Sequence, residues 1–89
     1  MIDIDFHKRF QKHYLKRIKC NKNLDILFHK RVELFAVDIN NKLLNNHRLI
    51  GQMKELYSFS VTGDIRIVYQ WIDNEKVLFL DIGSHNQVY

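Results

Sequence analysis

Apolar and acidic residues alternate at the start of the chain, where Ile2, Ile4 and Phe6 are separated by Asp3 and Asp5. A period of two predicts a strand over residues 1–5. From Phe6 the period lengthens. Phe6, Phe10, Tyr14 and Ile18 recur at every fourth position and share one helical face, with Lys8, Arg9, Lys12, Lys16, Arg17 and Lys19 mostly off it. The stretch CNKN breaks this pattern. A second helix is predicted to start near Asp25, an acid favoured in a first turn, with Phe28, Val32, Phe35 and Ile39 as its apolar stripe. The Asn-rich NNKLLNNHRLIGQ is predicted to be loop. Three strand patterns follow, KELYSFSV, IRIVYQW and KVLFLDI, separated by the short turns TGD and DNE. In the first, Tyr57, Phe59 and Val61 share one face, so Ser58 and Ser60 are expected on an open opposite face. In the second, Ile65, Ile67, Tyr69 and Trp71 oppose Arg66, Val68 and Gln70. Turns this short predict an antiparallel meander. The order is β-α-α-β-β-β, an α+β fold in one domain spanning residues 1–89, with two N-terminal helices packed on one face of a small antiparallel sheet.

Composition narrows the class of partner. Of 89 residues, 46% are hydrophobic and 27% charged, as in a globular chain. No apolar run is long enough to span a membrane, and the N-terminus lacks the apolar segment of a signal peptide. Cys20 is the only cysteine, which excludes an internal disulfide and fits the reducing cytoplasm. Residues 1–48 carry eleven Lys/Arg and five Asp/Glu, a net +6, whereas residues 49–89 carry three and five, a net −2. That asymmetry points to a polyanion or an acidic partner for the helical half.

The second half carries more specific signals. His47 lies in an N-H-x-L-x-G stretch, Gly63-Asp64-Ile65-Arg66 opens a G-D-x-R-x-x-Y stretch, and the chain closes on Gly83-Ser84-His85 followed by Tyr89. This pattern resembles the RelE/ParE superfamily of type II toxin–antitoxin toxins, and within it the YafQ-like branch of mRNA interferases. The resemblance spans nearly the whole chain and implies a RelE-like fold. It also implies a ribosome-dependent endoribonuclease that cleaves mRNA by attack of the ribose 2′-hydroxyl on the adjacent phosphate. Its implied partners are the ribosome, mRNA and a cognate antitoxin, with no small-molecule cofactor and no membrane.

Such cleavage needs a base for the 2′-hydroxyl, cations for the charge on phosphorus, and an acid for the departing 5′-oxygen. His85 matches the C-terminal catalytic histidine of the family, which implies the general acid. Asp64 and His47 match positions implicated in the YafQ-like branch, either as the base or as the group that orients it. Lys54 and Arg66 are the candidate phosphate-binding cations, and Tyr89 is a candidate stacking platform for a base. The remaining histidines, His7, His13 and His29, show no i, i+4 pair, and no metal site is expected.

One departure from the family bears on rate. Many members place Arg or His where this chain has Tyr57, Ser58 and Ser60, so the strand looks stripped of part of its catalytic charge. A weakened nuclease acting mainly through antitoxin binding and operon repression is therefore a second expectation. A gyrase inhibitor of the ParE branch is a third, disfavoured by the Gly-Ser-His ending.

Overall fold

The computed structural model describes residues 1–51 and 55–89. Phe6 ends the first strand rather than beginning a helix, because His7 takes the capping position. Its Nδ1 accepts the backbone N–H of Arg9 at 3.0 Å, and α1 (Lys8–Arg17) follows. The second helix starts three residues earlier than the acid at Asp25 suggests. Asn21 accepts the N–H of Leu24 at 3.1 Å, and α2 spans Lys22–Val37. An Asn cap of this kind satisfies one of the donors that a helix start leaves free.

The strands are β1 (Asp3–Phe6), β2 (His47–Arg48), β3 (Tyr57–Ser60), β4 (Ile65–Trp71) and β5 (Lys76–Ser84), in the sheet order β1-β5-β4-β3-β2. The α+β order expected from the sequence holds, and β3, β4 and β5 form the antiparallel meander. Three features add to it. The predicted loop contains a 3-10 turn at Lys42–Leu44 and the short strand β2. The chain end forms a helical turn, α3 (His85–Val88). And β1 pairs parallel to β5, Ile4 opposite Val77, so the sheet is mostly rather than wholly antiparallel. Parallel neighbours need a long crossover, and here nearly the whole chain provides it.

Both helices bury their apolar stripes against the sheet. Phe10, Ile18, Phe28 and Phe35 meet Phe59, Ile67, Tyr69, Val77, Phe79 and Ile82 in one core. Phe35 is its centre, stacked on Phe59 at 4.5 Å and edge-on to Tyr69 at 4.9 Å. Such pairs contribute about 0.5–1.5 kcal/mol each beyond their buried area.

Where β1 stops opposite Phe79, α1 continues along the outer edge of β5. Arg17 donates to the carbonyl of Ile82 at 2.9 Å, and His13 Nδ1 donates to Asp81 Oδ1 at 2.6 Å. The β4–β5 register shifts here: Val68 pairs with Asp81 and Tyr69 with Phe79, leaving Leu80 as the extra residue of a bulge.

Tyr69 ties the core to the loop before β2, its hydroxyl donating to Asn46 Oδ1 at 2.7 Å. Burial pushes this phenol up to about 12, and the bond to Asn46 opposes that rise. A folded-state value above the ordinary 10 favours the neutral phenol, so its stabilisation is full below about pH 10 and is lost as pH rises toward 12. Tyr69→Phe is expected to cost about 0.5–1.5 kcal/mol at neutral pH, through the lost bond to Asn46. Urea unfolding from pH 7 to 12 checks both points, since the variant should lose less stability than the parent above pH 10.

Candidate functional site

The Gly-Ser-His-Asn-Gln ending folds back because of three local features. A side chain at Gly83 would place its Cβ 2.7 Å from the mobile ends of Arg17 and Gln87 and 3.1 Å from Gln87 Cβ, so glycine lets the turn pack here without displacing them. The backbone N–H of Ser84 donates to Gln87 Oε1 at 2.7 Å, the reach-back half of an S-x-x-Q helix start. His85 and Tyr89 then lie one turn apart on the same side of α3, their rings edge-to-face with centroids 4.5 Å apart.

Tyr89 anchors the turn. Its hydroxyl donates to Ser58 on β3. Ser58 is expected on an open surface; it does lie opposite the core face, but Tyr89 is bonded to it and it is fully buried. Across the ladder, Ser58 pairs directly with His47 on β2. Directly opposed residues project to the same face, with Cβ atoms about 4.5–5.5 Å apart. This is how two histidines 38 positions apart come to line one cleft, together with Arg48, Leu49, Ile50 and Tyr89.

His47 is oriented further. Its Nδ1 lies 2.8 Å from the carbonyl oxygen of Asn45. A carbonyl only accepts, so Nδ1 carries the proton, and in the neutral ring Nε2 holds the free lone pair. Arg48 pairs with Glu55 at 3.4 Å, with both side chains largely exposed. Such a pair is a weak restraint, and the guanidinium is free to turn to a phosphate in the cleft. Arg48 follows His47 in the N-H-x-L-x-G stretch, and its proximity in sequence was the signal available for it.

The other sequence candidates lie elsewhere. Asp64 is exposed at the β3–β4 turn, where its N–H donates to Thr62 Oγ1 at 3.1 Å, and it does not line this cleft. Arg66 is half-buried near that turn, with Nη1 3.4 Å from Ser60 Oγ and Nη2 3.4 Å from the Gly63 carbonyl oxygen. Lys54 falls outside the described residues. Among the described residues, no group of three or more His, Cys, Asp or Glu side chains could hold a metal ion, and no helix is long and apolar enough to cross a membrane.

Residues 2–89 match the family model of the YafQ toxin, the bacterial toxin of a type II toxin–antitoxin system. The chain belongs to this family. It is thus a toxin of the YafQ family, and solved structures agree with its fold. A metal-bound toxin from Helicobacter pylori is 25% identical over the full length of both chains, with a TM-score of 0.81. The YafQ of the E. coli DinJ–YafQ complex is 19% identical over 100% of this chain and 99% of that one, with a TM-score of 0.74. A YoeB/ParE toxin from Agrobacterium tumefaciens is 13% identical over 94% and 99%, with a TM-score of 0.76. No curated protein matches the chain.

In this YafQ family member the placement of His85 depends on one hydroxyl pair. Ser58→Ala is expected to lower stability by about 0.5–1.5 kcal/mol and to speed amide hydrogen exchange at residues 85–89, while the core strands keep their protection. Hydrogen exchange read by NMR checks this. The sequence alone, with Ser58 on an open face, predicts no such effect.

Proposed function

We propose that this toxin is a ribosome-dependent mRNA endoribonuclease acting in the cytoplasm. The observation that carries the reading is the shared cleft of His47 and His85, with the His47 tautomer set by Asn45. Nε2 of His47 takes the proton of a ribose 2′-hydroxyl. The freed oxygen attacks the adjacent phosphorus, and the bond from phosphorus to the 5′-oxygen breaks. His85, protonated, gives its proton to that departing oxygen, and the product ends in a 2′,3′-cyclic phosphate. Protons balance within the pair, and every step uses side chains of this chain. Arg48 offsets charge on phosphorus, Arg66 holds RNA phosphate near the β3–β4 turn, and the half-exposed ring of Tyr89 offers a base a face to stack on. Asp64, remote from this cleft, is assigned an orienting role toward RNA at the turn.

The basic helical half fits ribosomal RNA, and binding should weaken steeply with salt. The E. coli relative is solved with its antitoxin DinJ. By extension, a cognate antitoxin silences this toxin, and an acidic segment would complement the +6 of residues 1–48.

A specific observation favours slow turnover. Ser60 carries no charge, yet it lies beside Arg66, on a strand where the family resemblance implies Arg or His. Loss of one charge-stabilising donor costs about 10²–10³-fold in rate.

Single-turnover cleavage on programmed ribosomes is the test. His85→Gln should slow cleavage by about 10²-fold or more with folding intact. A loss under about threefold would move the acid elsewhere. In the same assay Ser60→His should accelerate the parent, and an unchanged rate would show that another cation already fills the role.

A further inference from the structure

Beside the histidine cleft is a second one, at the β3–β4 turn, lined by Arg31, Asn45, Ser60, Thr62, Gly63 and Arg66. Arg31 comes from α2 and Arg66 from β4, so elements far apart in sequence bring two guanidinium groups to one opening. The Nε of Arg31 and the Nε of Arg66 are both buried, and among the described residues neither has an acceptor. Nor does either arginine form an ion pair among those residues. The two bonds that Arg66 makes through its other nitrogens are 3.4 Å long, at the outer limit of a hydrogen bond.

This arrangement is unfavourable as it stands. Two like charges share a cleft, and two donors are out of water without acceptors. A phosphate removes both problems at once, because its oxygens accept from planar guanidinium forks in pairs. The two clefts also adjoin. Asn45 lines the arginine cleft, and its carbonyl holds His47 in the other. Ser60 is two residues along β3 from Ser58, about 7 Å on the same face of the strand.

We propose that Arg31 and Arg66 form a phosphodiester-binding subsite, which grips the RNA backbone next to the phosphate held at His47 and His85. The proposal rests on the nuclease reading for the identity of its ligand. Arg31 is the addition: nothing in the sequence motif pointed to α2. Its role is binding and positioning of the strand, remote from the reacting atoms.

The test is a binding measurement that needs no cleavage. A 2′-O-methyl oligoribonucleotide lacks the attacking hydroxyl and is titrated by fluorescence anisotropy from about 50 to 200 mM salt. Each phosphate contact on a single strand adds about 0.7 to the slope of log affinity against log salt. Arg31→Gln and Arg66→Gln should each weaken binding several-fold and lower the slope by about 0.7, whereas Arg31→Lys keeps the slope. A lost packing contact would weaken binding without moving the slope. In the unaltered protein, the Nε–H resonances of both arginines should shift on adding the oligonucleotide, a readout that does not depend on any variant folding. An unchanged slope for Arg31→Gln, or a stationary Arg31 resonance, overturns the subsite. So does a slope that stays fixed while Arg31→Gln weakens binding of an acidic peptide, which would assign the cleft to carboxylates. A lowered slope in a protein that cuts no mRNA keeps the subsite and removes the nuclease. Normal cleavage with an unchanged slope does the reverse.

Discussion

The hydroxyl of Tyr89 donates to the hydroxyl of Ser58, and the candidate active site is arranged around that bond. A chain end has little to hold it unless it docks on something. Here the dock is a serine on the second strand of the meander, buried by the residue it holds. Because Ser58 faces His47 across the β2–β3 ladder, fixing Tyr89 to Ser58 also fixes His85 near His47. Two titratable side chains from opposite ends of the motif region then line one cleft.

The rest of the fold keeps that geometry rigid. Phe35 on α2 packs on Phe59 and Tyr69, the core-facing residues of β3 and β4. Phe59 is the neighbour of Ser58, so the core fixes the height and tilt of the strand that carries the dock. Tyr69 reaches through to Asn46, and Asn45 holds His47. Core, loop and site are therefore linked by consecutive contacts, each between groups that have few alternative partners once buried. At the far end of β5, α1 replaces the missing strand neighbour, with Arg17 bonded to the Ile82 carbonyl just before Gly83 and α3.

Much of this was legible in the sequence because it follows from periodicity. The switch from period two to period four at Phe6 marks the passage from β1 to α1, and the stripe through Phe28 and Phe35 supplies the buried face of α2. Features set by single side chains were harder to read. Whether an Asn caps a helix, as Asn21 does, depends on a hydrogen bond that composition does not show. The parallel pairing of β1 with β5 depends on which edge the helical hairpin leaves open. Ser58 illustrates the limit most clearly: alternation places it on the correct face, but not against Tyr89, 31 positions later. The S-x-x-Q spacing of Ser84 and Gln87 is a local signal for α3 that periodicity does not register. His85, His47 and Arg66 stood out through motif resemblance. Arg31 did not, because a charge on a basic helix looks like any solvated lysine or arginine until the fold shows what it lines.

In the proposed reaction His47 and His85 act as base and acid on one substrate in one cleft. The pH dependence of single-turnover cleavage tests it most directly. Paired acid–base catalysis gives a bell, with the acidic limb from protonation of His47 and the alkaline limb from deprotonation of His85. It also predicts that His47→Gln abolishes the acidic limb alone and His85→Gln the alkaline limb alone. A profile with a single limb in the unaltered toxin, or limbs that survive both substitutions, would contradict the pairing of these two histidines.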